Sequence, residues 1–238
     1  MANSRKKEPE ITPQPPLSER MCVSLVPIFN HLSPEQMDEV MEVVQHKTFK
    51  KGETIYRADE TSDTLYIVNR GQVKIYRLSD TGKEQLVRIL TPGDFTGELA
   101  LFRQSVHEAY AETLVDSAIC HIHRDDLQRL LLRYPTISLK ILEEFSRRLD
   151  TAEKQTTSFA TEKVDTRIAL YLVECVEEEG ANEATIELPL SRKDLASYLG
   201  TTPETISRKL TEFEEKGLIL QQGQRKMKLL DIDELLFI

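Results

Sequence analysis

Residues Leu190–Ile219 read LSRKDLASYLGTTPETISRKLTEFEEKGLI, the pattern of two short helices joined by a tight turn. Ser191 is a good N-cap, and Asp194 three positions on can complete a capping box. Leu195, Ala196 and Leu199 supply an apolar face, and Gly200 can take the left-handed conformation that ends a helix. Thr202 then caps a second helix with Pro203 at its first position, where no backbone N–H is needed. Ile206, Leu210 and Phe213 share one face of that helix. Glu204, Ser207, Arg208 and Thr211 cluster roughly 150° away, at about 100° per residue.

A helix packed on one side and polar on the other is what reading a major groove requires. Arg donates two hydrogen bonds to guanine, Glu accepts one from the cytosine amino group, and Ser does either. The competing reading is a surface ion pair between Glu204 and Arg208 at i, i+4, worth little.

Two apolar-rich runs follow, Leu218–Gln222 and Arg225–Ile232, around Gly223-Gln224, a two-residue hairpin signal that predicts a wing. From Leu190 to Lys228 there are eight Lys or Arg against five acids, a net of +3 in a chain of net charge −9. Charge is segregated, and this segment is the candidate for phosphate contact. The residues expected at DNA are Thr202, Glu204, Ser207, Arg208 and Thr211, with the cations Arg192, Lys209, Arg225 and Lys226.

The chain has 238 residues, 39% hydrophobic and 30% charged, enough for two domains with separate cores. It holds no apolar run of membrane-spanning length. The N-terminal MANSRKKEPEITPQPP lacks the apolar region of a secretory signal, so a cytoplasmic protein is expected. Residues 1–20, polar and Pro-rich, are expected to form a disordered arm. Three cysteines at unrelated spacings make no disulfide framework.

A helix capped by Ser33 is expected through Met37, Val40, Met41 and Val44. Short β-branched runs then alternate with glycines at 52, 71, 82, 93 and 97, which predicts an antiparallel barrel or sandwich. Tyr110–Leu114 and Ser117–His123 are expected to pair and close it, giving a β-roll over 21–133. The stretch over 134–163 has near-heptad apolar spacing and charged flanks, the pattern of a long helix with a coiled-coil seam. Ile141, Phe145, Leu149 and Ala152 are the expected contacts between two copies; the alternative is a helix packed only on its own domain. Residues 164–238 would form the winged helix-turn-helix, and the class is α+β.

This order of parts resembles the CRP/FNR family of bacterial transcription regulators over nearly the whole chain. The residues that carry the resemblance are Gly52-Glu53-x-Ile55, Asp63-x-Leu65-Tyr66-x-Val68-x-x-Gly71-x-Val73-Lys74-Ile75-Tyr76, Pro92-Gly93-Asp94, Gly97-Glu98-Leu99-Ala100-Leu101 and Glu204-Thr205-Ile206-Ser207-Arg208. The resemblance implies an antiparallel, jelly-roll, cyclic-nucleotide-binding-like N-terminal domain, a homodimer, double-stranded promoter DNA and RNA polymerase as partners. Cyclic-AMP-binding members place an Arg-Ser pair at the cyclic phosphate, where this chain has Glu108 and Ala109. An acid there opposes an anion, so cyclic AMP is not expected. Glu204-x-x-Ser207-Arg208 matches the FNR branch, whose members read TTGAT-type half-sites.

Iron–sulfur members of that branch use four cysteines. Here Cys22 stands alone near the N-terminus and Cys120 where the roll cysteine would be, so no cluster is expected. The pattern is similar to FNR-like proteins of Gram-positive bacteria, thought to switch by a dithiol–disulfide change. Two ordinary reduced thiols in a constitutively active protein are the alternative. Cys175 reads as a core thiol, and His121 and His123 as a solvated or satisfied pair rather than metal ligands. A second reading makes the roll a module for an unidentified small effector; among residues 103 to 113 only Arg103 could hold an anion. No P-loop, nucleophile motif or metal spacing points to an enzyme.

Overall fold

The computed structural model describes residues 23–102, 105–176 and 181–238. The expected N-terminal arm therefore lies outside the described residues, as do Cys22 and Arg103. Helix α1 (Pro34–Met41) starts on a full capping box: Ser33 Oγ accepts from Gln36 N–H, and Gln36 Oε1 accepts from Ser33 N–H. It stops short of Val44, because β1 (Gln45–Phe49) begins one residue later.

The roll is two four-stranded antiparallel sheets and a short antiparallel pair, β3 (Thr61–Ser62) with β8 (Ser105–Val106). One four-stranded sheet has the order β1, β10 (Ser117–His123), β4 (Thr64–Arg70), β7 (Phe95–Thr96). The other has β2 (Thr54–Tyr56), β9 (Tyr110–Thr113), β5 (Val73–Leu78), β6 (Glu84–Leu90). Phe49, Val68 and Ile119 of the first meet Tyr56, Val73, Ile75, Leu90 and Ala111 of the second between the sheets. The alternate residues Leu65, Ile67, Cys120 and Ile122 face outward, where helices cover them. The period of two thus buries both faces of the first sheet.

The expected pairing of Tyr110–Leu114 with Ser117–His123 is corrected. β9 runs between β2 and β5, β10 between β1 and β4, and the two belong to different sheets. Leu114–Asp116 crosses from one sheet to the other, held as Leu114 N–H donates to Gln72 O and Asp116 Oδ1 accepts from Lys51 N–H. Gly97, at φ +84°, passes against the Thr64 carbonyl, where any Cβ would collide.

Helix α2 (Leu99–Phe102) and helix α3 (Arg124–Arg133) follow the roll's strands, and Pro135 opens the long helix α4 (Pro135–Thr161). Ile137 and Ile141 of α4 are fully buried against the first sheet. Beyond Arg148 the helix is mostly exposed, and Glu162 and Lys163 turn the chain into α5 (Val164–Glu174). The C-terminal domain packs α5, α6 (Arg192–Tyr198), α7 (Pro203–Glu215) and α8 (Ile232–Leu236) on a sheet of order β11 (Ala184–Glu187), β13 (Lys226–Leu229), β12 (Ile219–Gln221). Its core takes in Leu86 from β6, so the roll is stitched to it.

Candidate nucleic-acid interface

Local chemistry sets both helices of the motif. Ser191 Oγ accepts from Asp194 N–H at 3.2 Å and donates to the Asp194 carboxylate at 2.5 Å, so half of the expected capping box is made. Gly200 sits at φ +67°, and Thr202 Oγ1 accepts from Thr205 N–H at 3.3 Å to start α7. Ile206, Leu210 and Phe213 are buried, while Glu204, Ser207, Arg208 and Thr211 are exposed. The hydrogen bond of its own backbone N–H, then that of Thr202, holds the Glu204 carboxyl below its ordinary range. Glu204 is therefore a charged acceptor at the start of the helix.

Glu204 and Arg208 make no ion pair with each other; Arg208 Nε instead lies 3.9 Å from Glu212, with 69% of its side chain exposed. A contact that long leaves the guanidinium open to other acceptors. Thr211 donates its hydroxyl to Ser207 O, which turns it back on the helix.

Two of the expected phosphate cations are placed differently from the others. Lys209 Nζ lies 2.7 Å from Glu212 and 3.5 Å from Asp165 on α5, with its side chain mostly covered. Arg192 donates to Gln221 Oε1 at 3.0 Å, and Glu214 in turn accepts from Gln221 at 2.7 and 2.9 Å. Arg192 thus braces α6 against β12. Arg225 and Lys226 are exposed on the wing. The wing's loop is longer than the two residues expected: β12 ends at Gln221, β13 starts at Lys226, and Gln222 N–H donates to Lys226 O at 2.9 Å.

On α4 the expected seam divides. Ile141 is fully buried inside its own roll, so its place at a contact between copies is corrected: it faces the sheet, not solvent. Phe145 is half-buried and meets Phe102 edge-on at 5.8 Å. Ala152 is exposed, and Leu149 is 61% exposed. Leu142, 58% exposed and one heptad before Leu149, was missed because heptad spacing alone does not say which stripe the roll covers.

Cys120 is buried on β10 and is half of a disulfide, whereas Cys175 is a free thiol that burial pushes up. Strand pairing sets His46 opposite Cys120, with Nδ1 3.3 Å from Sγ. Sequence reading looked to neighbours along the chain and missed this cross-strand one. His121 and His123 stand edge-to-face at 6.1 Å.

Residues 46–134 match the model of the cyclic nucleotide-binding domain, and residues 166–238 that of the Crp-like helix-turn-helix domain. The chain is 34% identical to the "Probable transcriptional regulator flp" of Lacticaseibacillus casei, over 90% of this chain and 96% of that protein. It belongs to the CRP/FNR family of transcription regulators. The transcriptional activator protein Anr of Pseudomonas protegens is 30% identical over 81% of this chain and 80% of its own length. Among solved structures, FixK2 from Bradyrhizobium japonicum superposes with a TM-score of 0.69 at 27% identity, covering 81% of this chain and 96% of that one.

The roll of this CRP/FNR chain encloses a cavity of about 220 Å³. Glu108 and Ala109 line it, as the resemblance placed them, and so do Arg77 and Arg88, which sequence reading did not bring there. Both arginines have carboxylate partners: Arg77 meets Glu108 at 2.7 Å, and Arg88 meets Glu98 at 3.4 Å. Their charges cancel, so the lining offers no net positive charge to a cyclic phosphate. His107 stacks on Tyr56 at 3.7 Å, and burial pushes its imidazole down, toward the neutral form. The chain is a DNA-binding regulator of the CRP/FNR type.

Proposed function

We propose that two copies of the chain pair along α4 and read a TTGAT-type palindrome with α7, recruiting RNA polymerase in the cytoplasm. The observation that carries this reading is the set of exposed side chains on a capped helix: Glu204 held charged, Ser207 on the surface, Arg208 only loosely tied. Arg208 would take a guanine and Glu204 a cytosine amino group. Arg225 and Lys226 would meet phosphates, while Thr202 caps α7 and Arg192 braces α6 against the wing strand β12. Leu142, Phe145, Leu149 and Ala152 supply the contact between copies, an isologous surface in which each helix lies on its twin.

For the signal, Cys22 and Cys120 exchange between dithiol and disulfide. On oxidation the two thiols lose two protons and two electrons to a cellular disulfide oxidant, and one S–S bond forms. What supports this is that Cys120 is half of a disulfide and packs in one cluster with Ile137 and Ile141 of α4. A bond closed there ties the N-terminal segment to the sheet on which the long helix rests. Neither cyclic AMP nor an iron–sulfur cluster has a part in this reading: Glu108 opposes an anion, Arg77 and Arg88 are already paired with carboxylates, and two thiolates fall short of four.

The test is an electrophoretic shift on a TTGAT palindrome, with and without reductant. Binding that depends on the palindrome and changes with reductant supports the reading. Equal affinity for random DNA removes the sequence-specific part, and equal affinity in both redox states removes the switch. A second reading keeps the DNA output but places a small neutral or zwitterionic effector in the roll, favoured by the balanced Arg77, Arg88, Glu98 and Glu108 around its cavity. Calorimetry with cyclic AMP should show no binding in the micromolar range under either reading.

A further inference from the structure

Between the C-terminal half of α4 and the C-terminal domain lies a second cavity, of about 470 Å³. That volume is within the range of about 300–1,000 Å³ that small-molecule sites occupy. Phe159, Tyr171 and Tyr198 give it aromatic walls, with the two tyrosine rings 5.6 Å apart and tilted. Arg167 enters from α5. Its guanidinium carbon lies 5.0 Å from the Phe159 ring centroid, and its Nε is buried without a hydrogen-bond acceptor. Among the described residues Arg167 has no carboxylate partner. Lys154 also lines it, exposed and already paired with Asp150 at 2.8 Å. Glu174 is the acid in the lining, and burial pushes its carboxyl up, which weakens its opposition to an anion.

A buried guanidinium N–H without an acceptor is costly to the fold and is satisfied by one arriving with a ligand. Arg with an aromatic stack beside it is suited to a carboxylate or sulfonate on a flat ring. We propose that this cavity binds a small aromatic organic anion, held at its acid group by Arg167 and at its ring by Phe159, Tyr171 and Tyr198. The cavity bridges α4 to α5 and α6 across the turn at Glu162 and Lys163, so an occupant fixes the angle between the roll and the DNA-reading helices. Of the α4 positions that line it, Thr151, Lys154, Gln155 and Ser158 point about 180° away from Leu142 and Leu149, while Phe159 lies about 20° from Ala152, at about 100° per residue.

The test is a fluorescence titration of the full chain with 8-anilinonaphthalene-1-sulfonate, which carries one anionic group on a flat aromatic system. The expected result is saturable binding at one site per chain. Arg167→Met should weaken it about tenfold or more, the loss of one charge-assisted contact. Ser158→Phe, which fills the cavity from the helix surface, should abolish it. Arg77→Met, in the roll, should leave it unchanged. Circular dichroism identifies any variant that fails to fold, and Ser158→Phe then stands in for Arg167→Met. Absence of saturable binding, wild-type affinity in the folded cavity variants, or loss in Arg77→Met overturns the site. A bound probe that leaves affinity for operator DNA unchanged overturns the coupling. None of these binding outcomes depends on the palindrome or on the cysteines, so this site and the DNA reading fail separately.

Discussion

Arg148 on the long helix closes on Glu98 in the roll, with Nη1 3.0 Å from Oε1 and both side chains largely buried. The same guanidinium donates to Glu144 at 2.7 Å and to Phe95 O at 3.0 Å, and it stacks on the Phe95 ring. Glu98 also faces Arg88, so two acids and two arginines join the roll cavity to α4.

Arg148→Met should therefore lower stability by about 3 kcal/mol at neutral pH, because it strands partly buried carboxylates. Burial pushes the Glu144 carboxyl up, but hydrogen bonds from Arg147 and Arg148 outweigh that and hold it below its ordinary range. A depressed carboxyl stabilises the fold above its unfolded pKa of about 4.3, and this is lost as pH falls through the folded value. The gap between wild type and variant, measured by urea unfolding, should be full at pH 7 and shrink below about pH 4. A gap that widens on acidification would contradict the assignment.

The interface residues separate by exposure. Arg208→Ala should cost about 1–3 kcal/mol on the specific site and relax preference at one guanine. Lys226→Gln should weaken all sequences alike and flatten the salt dependence. Lys209→Gln should do so less than Lys226→Gln, because Glu212 and Asp165 already hold that ammonium. Fluorescence anisotropy at two salt concentrations measures all three; equal salt slopes for the two lysine variants would sink the distinction.

Along α4, Leu149→Asp should dissociate two copies without unfolding either, since Leu149 is exposed in the single chain. Ile141→Asp should instead unfold the roll, because it buries a charge among apolar side chains. Sedimentation paired with circular dichroism tells the two apart. A folded monomer from Ile141→Asp would reverse the assignment.

The Ser197 hydroxyl accepts from Leu86 N–H at 2.6 Å and donates to Glu84 O at 2.8 Å, so one side chain of α6 satisfies the strand β6. Ser197→Ala should cost about 1–3 kcal/mol for the unpaired backbone groups. It should also split a single calorimetric transition into two, as the roll and the DNA-binding domain melt apart. One sharp transition at the wild-type temperature would show that the stitch contributes nothing.

Features that depend on neighbours along the chain were legible before any fold was known. Ser33, Ser191 and Thr202 cap helices, Gly200 takes positive φ, and the spacing of Ile206, Leu210 and Phe213 turns Glu204 and Arg208 outward. Each is a matter of a few residues, where backbone sterics and side-chain period decide. What depends on crossing elements came from the packing of the whole chain. It sent β9 and β10 to different sheets, set His46 against Cys120, turned Ile141 into the roll and gave Lys209 to Asp165. Strand alternation and helix period state that a face is buried, but which surface buries it is a contact between residues tens of positions apart. No local pattern encodes that choice, because packing the whole chain at once fixes it.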